Sequence, residues 1–388
     1  MRRLTLTLSD LVSMTTSSVT PREVPFFNYR GAFGSLGQPL HDVIRDVIDR
    51  GAFIMQRDLM DFEQAIAKFL GVKHVFGVGN ATDGLILCLR AAGIRPGDEV
   101  IFPSHTMVAS PASVHFTGGV PVPVDIGPDN LIDPAAIEAA ITPRTKFIMP
   151  VHVNGRTCDM DAITAIAKKN GLLIVEDAAQ ALGSCFGGRH AGTFGIASSF
   201  SLYPAKVLGC LGDGGLVVTD DDAVADELHQ LRDHGRDRDG EVAGWGMNSR
   251  LDNLQAAVLH LQFRDYDAIM DHRRALASEY QRLLGDLSEL KLPAAPGTDE
   301  RRFDVFQNYE LEADRRDELK VFLKSEGIGT LVQWGGKAVH QFSALGFDVS
   351  LPATERFFGR CIMLPLNMMV TIDDAAYVAG AVRRFYGR

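Results

Sequence analysis

Short apolar runs alternate with helical segments from about residue 72 to residue 220. The apolar runs are VKHVFGVG, DEVIFP, PVPVD, TKFIMPVH, LLIVED, ASSFSLY and GGLVVTD. Segments between them, such as MDAITAIAKKN, carry apolar residues at the spacing of an amphipathic helix. Strands that are apolar on both faces and alternate with helices are typical of a mostly parallel sheet covered on both sides. The pattern therefore predicts an α/β fold.

The pattern changes after about residue 260. A long helical stretch, LDNLQAAVLHLQFRDYDAIMDHRRALASEYQRLL, is followed by a predicted strand (FQNYELEA), a helix (RRDELKVFLKSEG), the strand GIGTLVQW and a last helix. A chain of 388 residues is too long for one compact core. We therefore expect an N-terminal extension (1–25), a large domain (26–260) and a smaller α+β C-terminal domain (261–388).

Composition narrows the class of protein. A net charge of −10 without a dense basic run disfavours nucleic-acid binding. No stretch approaches the ~20 apolar residues that span a bilayer, and the N-terminus has no apolar segment of signal type. The five cysteines lack the close pairs of zinc sites. We expect a cytoplasmic protein with reduced cysteines, no metal and no membrane association.

Two polar features follow predicted strands in this region. The segment GVGNATDG (77–84) joins a strand to a helix start, where free amides and the helix dipole favour a phosphate. Thr82 or Asn80 can serve as the cap of this helix, and a plain tight turn with Thr82 as the cap is the alternative to a phosphate site. Asp177 ends the run LLIVED, where a carboxylate can hold a pyridine nitrogen protonated. The alternative for Asp177 is a cap for a helix in the following AAQAL.

Lys206 lies in SFSLYPAKVLGCLGDGG, between a predicted strand and a glycine-dense stretch. A solvated surface lysine is the ordinary interpretation. A lysine that forms a Schiff base must instead lose its proton near neutral pH, and desolvation lowers its pKa from ~10.4. The order of these three features along one α/β domain is more specific than any one of them.

The chain resembles the DegT-type sugar aminotransferases, enzymes of the aspartate-aminotransferase-like pyridoxal-phosphate (PLP) fold. The matching segments include GVGNATDGL, RPGDEVIFPSHTMVAS, VEDAAQALGS, SFSLYPAKVLGCLGDGG, NSRLDNLQAAVL, GIGTLVQWGGKAVHQF and IMLPLN. The likeness covers most of the chain beyond residue 25. EDAAQ together with FSLYPAK is highly specific, because the pair fixes the ring partner and the Schiff-base lysine.

The resemblance implies a role for each matching residue. Lys206 is the catalytic Schiff-base lysine, Asp177 pairs with the pyridine nitrogen, and Gln180 lies near the ring hydroxyl. Contacts to the cofactor phosphate are implied for Ala81, Thr82, Ser201 and, from the neighbouring subunit of a homodimer, Asn248. Some members of the family have histidine in place of the lysine and dehydrate sugars, so the presence of Lys206 favours amino transfer. The resemblance implies glutamate or glutamine as the amino donor and a nucleotide-linked keto sugar as the acceptor.

Some positions depart from the family pattern. Met107 stands where an aromatic residue usually stacks on the cofactor, and a thioether can pack against the ring instead. The segment QWGGKAVHQF replaces an aromatic–proline motif and leaves the substrate open. The candidate substrate contacts are His105, His152, Arg250, Trp334, Lys337 and His340.

Several alternatives remain at this stage. Either His105 or His152 can be structural, and Arg250 can bind the donor carboxylate or form a structural ion pair. The segment 233–246 is either a mobile loop over the site or a plain solvated loop. A keto-cyclitol or another small ketone is the alternative acceptor. A PLP-binding regulatory protein without turnover is the alternative function.

Overall fold

The computed structural model describes residues 22–388. The helices are α1 (Tyr29–Gly34), α2 (Gly37–Arg50), α3 (Arg57–Leu70), α4 (Ala81–Ala91), α5 (Ala109–Phe116), α6 (Pro134–Ala140), α7 (Met160–Asn170), α8 (Asp222–Arg232), α9 (Asn253–Phe263), α10 (Tyr266–Leu284), α11 (Arg316–Ser325), α12 (Pro352–Arg360) and α13 (Ile372–Phe385). The strands are β1 (His74–Val78), β2 (Glu99–Pro103), β3 (Val120–Val124), β4 (Thr145–Ile148), β5 (Leu173–Asp177), β6 (Cys185–Phe186), β7 (Arg189–His190), β8 (Ala197–Ser201), β9 (Gly215–Thr219), β10 (Leu290–Lys291), β11 (Arg302–Phe303), β12 (Tyr309–Ala313) and β13 (Cys361–Leu364).

A seven-stranded sheet forms the larger part of the molecule. Its strand order is β1-β9-β8-β5-β4-β2-β3. The pairs from β8 to β3 are parallel, whereas β9 runs antiparallel to both of its neighbours. Every residue of β2 and β9 is buried, as expected for strands covered on both faces. The predicted mostly parallel α/β fold is confirmed.

A second, three-stranded antiparallel sheet has the order β10-β12-β13. Its core includes residues of α10, α11 and α13, among them Leu276, Leu323 and Val378. The short strand β11 belongs to neither of these sheets and pairs with β6 in a third sheet of order β11-β6-β7. Helix α9 crosses residue 260, extends to Phe263 and packs on α2 and α3. The predicted division between the domains at residue 260 stays a prediction.

Three expectations about local structure need correction. GIGTLVQW is not a strand: Leu331 forms one isolated bridge to Met363, and the chain then turns at Trp334, whose φ is +48°. The long helical stretch divides into α9 and α10 around Arg264 and Asp265. Helix α12 directly precedes β13 and was not predicted from the sequence.

The predicted N-terminal extension falls mostly on residues 1–21, outside the described residues. Its last residues are part of the fold, because Val24 is 2% exposed and bridges to Ile328. Arg22 forms ion pairs with Asp373 and Asp374. Among the helices described, none is both long and apolar enough to cross a bilayer.

Candidate active site

The start of α4 forms one end of a pocket at the carboxyl edge of the large sheet. The Asn80 side chain caps the helix by accepting the Asp83 N–H at 2.9 Å. The N–H groups of Ala81 and Thr82, in the first turn, have no acceptor inside the helix. The start of α4 lies close against the backbone of β9 at Gly215. A side chain would not fit there, because a Cβ on Gly215 would lie 2.7 Å from the carbonyl carbon of Asn80. The helix therefore presents free donors and the positive end of its dipole to the pocket.

Asp177 ends β5 at the centre of the same edge. Its Oδ2 accepts a hydrogen bond from Ser110 Oγ at 2.7 Å, and its Oδ1 accepts the Ala179 N–H at 3.1 Å. Burial raises the pKa of Asp177, and these hydrogen bonds and the charge of Lys206 oppose that rise. No helix follows Asp177, since 178–184 are turn and irregular backbone, so the helix-cap alternative is wrong. The carboxylate is buried and oriented towards the pocket.

Lys206 lies in a turn after β8, and Gln307 forms hydrogen bonds with the backbone of the residues before and after it. Gln307 Oε1 accepts the Val207 N–H at 2.8 Å, and Gln307 Nε2 donates to the Ala205 carbonyl at 2.7 Å. Desolvation lowers the pKa of Lys206 to about 8, against the attraction of Asp177, which raises it. An enclosed amine of this kind is partly deprotonated at neutral pH and can act as a nucleophile.

These elements enclose one cavity of about 370 Å³. Seven of the eight predicted cofactor-binding residues line it, namely Ala81, Thr82, Met107, Asp177, Gln180, Ser201 and Lys206. Trp334 lines it as well, as expected for a substrate contact, and Met107 is 54% exposed there. The structure therefore brings the helix start, the carboxylate and the amine into a single pocket.

The eighth residue, Asn248, is exposed and does not line this pocket of its own chain. The prediction that it reaches the pocket of a neighbouring subunit stays a prediction. The segment 233–246 also lies outside the pocket lining, and its Trp245 is 92% exposed.

His152 is not brought to the pocket, which corrects its prediction as a substrate contact. It is fully buried, and its Nδ1 accepts the Cys158 N–H at 3.2 Å. Since a backbone N–H can only donate, the proton of the neutral ring is on Nε2, which lies 2.9 Å from Glu176 Oε2. The structure supports the structural alternative.

Four other predicted substrate contacts lie outside the cofactor pocket, and their contact with substrate stays a prediction. His105 lines a neighbouring cavity, and its Nδ1 lies 2.8 Å from the Asn130 carbonyl. His340 is buried between Ser104 and Glu355, at 2.7 and 3.2 Å. Two further residues lie outside the cofactor pocket: Lys337, which is exposed, and Arg250, whose Nη1 pairs with Asp233 at 2.8 Å.

Sequence reasoning missed the residues that support the site from behind. Ser110 donates to Asp177, and Gln307 contacts the lysine turn. Ser110 is the last residue of the matching segment RPGDEVIFPSHTMVAS and lies on α5, but its proximity to β5 depends on the strand order. Asn80 had been considered as a helix cap, and the cap is confirmed.

Comparisons with known proteins agree with this geometry. A family model described as the DegT/DnrJ/EryC1/StrS aminotransferase family matches residues 36–383. The chain is 40% identical over 381 residues to dTDP-3-amino-3,4,6-trideoxy-alpha-D-glucose transaminase of Streptomyces venezuelae, covering 97% of this chain and 99% of that protein.

Solved structures give the same result. DesV of S. venezuelae, in complex with a ketimine intermediate, matches with a TM-score of 0.90 and 39% identity, over 94% of this chain and 99% of that one. NtdA of Bacillus subtilis, with bound cofactor PMP, matches with a TM-score of 0.86 and 28% identity, over 94% and 86% of the two chains.

Proposed function

Because the chain belongs to the DegT/DnrJ/EryC1/StrS aminotransferase family, we propose that it transfers an amino group from an amino acid to a nucleotide-linked keto sugar. It is a PLP-dependent aminotransferase. The nearly full-length likeness to a dTDP-sugar transaminase supports the proposed acceptor. L-Glutamate or L-glutamine is the proposed donor.

The pocket suits PLP at each of the cofactor's polar groups. The N–H groups of Ala81 and Thr82, with the hydroxyl of Ser201, provide donors for a phosphate at the start of α4. Asp177 provides a buried carboxylate for the pyridine nitrogen, and it has lone pairs beyond those used by Ser110 and Ala179. The bound cofactor supplies an electron sink that stabilises the carbanion formed during amino transfer.

Gln180 is held so that it can donate to the ring hydroxyl. Its Oε1 accepts the Asn154 N–H at 2.6 Å, which leaves Nε2, the donor end of the amide, for the pocket. Met107 offers a thioether to one face of the ring.

The single observation that carries the proposal is that Lys206 and Asp177 line one pocket. With a pKa of about 8, roughly a tenth of Lys206 is neutral at pH 7, against less than about 0.1% for an ordinary lysine. Its neutral Nζ would hold the cofactor covalently and, when free, would accept and return the proton of the reacting carbon. Asp177 keeps the pyridine nitrogen protonated throughout.

We further propose a homodimer in the cytoplasm. The exposed side chain of Asn248 supports a role at a neighbouring subunit's pocket. All five cysteines are free, which fits a reducing compartment.

Absorbance of the purified protein tests the proposal. We expect PLP to give a visible band that is lost in Lys206→Ala and kept in the control Lys337→Ala, whose lysine is exposed outside the pocket. L-Glutamate should convert the band to the amino form of the cofactor, and a nucleotide-linked keto sugar should restore it. Reversal by a keto-cyclitol alone would contradict the proposed acceptor. A spectrum unchanged by any amino donor would contradict amino transfer and favour a regulatory role.

A further inference from the structure

A second cavity lies beside the cofactor pocket at the same edge of the large sheet. Its volume is about 380 Å³, and its walls come from the ends of β2, β3 and β4 and from segments around β10 and β12. Val153 lines both cavities, while Trp334 packs against His105 between them, with ring centroids 5.5 Å apart. Ligands of parallel sheets bind outside the carboxyl ends of the strands, which is where this cavity lies.

Three residues that line the cavity each carry a buried polar atom with no hydrogen-bond partner among residues 22–388, namely His105 Nε2, Glu310 Oε1 and Asp304 Oδ1. The three residues are 1%, 5% and 7% exposed, respectively. Leaving such a group without a partner costs about 1–3 kcal/mol. These atoms therefore gain from a ligand that can hydrogen-bond to them.

Glu310 is held with one carboxylate oxygen free. Its Oε2 accepts hydrogen bonds from Asn154 Nδ2 at 2.6 Å and Gln333 Nε2 at 2.8 Å. Both hydrogen bonds go to Oε2, so the buried Oε1 is left without a donor in the described part of the chain.

His105 is held in the complementary way. Its Nδ1 must donate to the Asn130 carbonyl, because a carbonyl oxygen only accepts. Nε2 is then an acceptor in the neutral ring and a donor in the protonated ring, and it lies 3.4 Å from Glu310 Oε2. A hydroxyl group that donates to Glu310 Oε1 can accept from His105 Nε2 in the protonated ring, and a second hydroxyl of the same molecule can donate to Nε2 in the neutral ring.

The charges around the cavity favour a neutral ligand. The lining contains three carboxylates and three basic side chains, namely Asp129, Asp304 and Glu310 and Arg156, Lys291 and His105. Arg156 pairs with Asp304, and Lys291 pairs with Glu312 at 2.8 Å, so these cations are already engaged. Apolar surface is provided by Leu131, Leu292, Pro293 and Phe306.

We propose that this cavity is a second binding site, separate from the cofactor pocket, for a neutral polyhydroxylated molecule the size of a single sugar unit. Its volume falls within the range of about 300–1,000 Å³ typical of small-molecule sites. The carboxylates and the imidazole can form hydrogen bonds with several hydroxyl groups, and the apolar residues can pack against the ring that carries them. The proposal does not depend on which ketone accepts the amino group.

Calorimetric titration of the holoenzyme tests the site with D-glucose and myo-inositol as probes and sodium sulfate as an anionic comparison. We expect one of the two polyols to bind at millimolar concentration and sulfate not to bind. Glu310→Gln should weaken polyol binding about tenfold, because the free acceptor becomes a donor. The control Glu318→Gln removes the same charge at an exposed position on α11 and should leave binding unchanged.

Ala294→Trp provides a second variant, which places a large side chain at the cavity wall. It leaves the buried polar side chains unchanged. It should abolish polyol binding while keeping the cofactor absorbance and its response to L-glutamate, which separates this proposal from the proposed function. Failure of both polyols to bind the wild type at millimolar concentration would overturn the proposal. Equal binding by wild type and Ala294→Trp would also overturn it, because the polyol would then occupy another place.

Discussion

The lysine at the centre of the pocket should destabilise the cofactor-free protein, and Lys206→Met should relieve that cost. The pKa of Lys206 falls from 10.5 to about 8 because the folded chain takes the ammonium group out of water. A difference of this size corresponds to about 3 kcal/mol of unfolding free energy. Methionine fills similar space without a charge. We therefore expect cofactor-free Lys206→Met to be more stable than the wild type by up to about 3 kcal/mol at pH 7.

The pH dependence follows from the direction of the pKa change. Between pH 8 and pH 10.5 the unfolded chain keeps the Lys206 proton and the folded chain releases it, so the wild type gains stability as the pH rises. Below pH 8 both states are protonated and the cost is present in full. The advantage of Lys206→Met should therefore be largest below pH 8 and should shrink towards pH 10.5.

Urea unfolding of the cofactor-free proteins at pH 7 and pH 10 measures this difference. Lys337→Met is the matched control, because Lys337 is exposed and its replacement should change stability little at either pH. Removing the ammonium also removes an attraction for Asp177, which is why about 3 kcal/mol is an upper value. A Lys206→Met protein that is less stable than the wild type at pH 7, or an advantage independent of pH, would refute the reasoning.

Three further predictions concern residues that support the pocket. Ser110→Ala removes a hydrogen bond to Asp177 Oδ2, so the pKa of that carboxyl should rise further and PLP affinity, measured by equilibrium dialysis, should fall about tenfold. Gln307→Leu leaves the Val207 N–H and the Ala205 carbonyl without their partner and should lower the unfolding free energy by about 2–4 kcal/mol in urea, whereas an effect below about 0.5 kcal/mol would contradict this role. Asn80→Ala removes the cap of α4 and should cost about 1 kcal/mol in the same assay, with Asn80→Asp expected to retain most of the stability.

Local pattern was sufficient for the chemistry that lies directly after strands. Asp177 and the start of α4 follow short apolar runs predicted as buried strands, so their place at the carboxyl edge was expected, while the helix-cap and tight-turn alternatives stayed open at that stage. Lys206 was identified through the segment FSLYPAK rather than through its environment, because a half-buried lysine has no periodic signature. The strand expected in GIGTLVQW was wrong because its apolar residues pack beside β13 without a continued ladder.

The histidines show where such reasoning stops. His105 and His152 both follow strand ends, and sequence position alone does not distinguish a side chain that enters the pocket from one that is buried behind it. The outcome depends on tertiary contacts: His152 Nε2 lies 2.9 Å from Glu176 Oε2, and His105 Nδ1 donates to the Asn130 carbonyl. Gln307, two residues before β12, holds the lysine turn, and Glu310 within β12 lines the second cavity. Substitution of Gln307 should therefore affect cofactor binding without touching the cofactor, a coupling that arises from tertiary packing and is absent from any local motif.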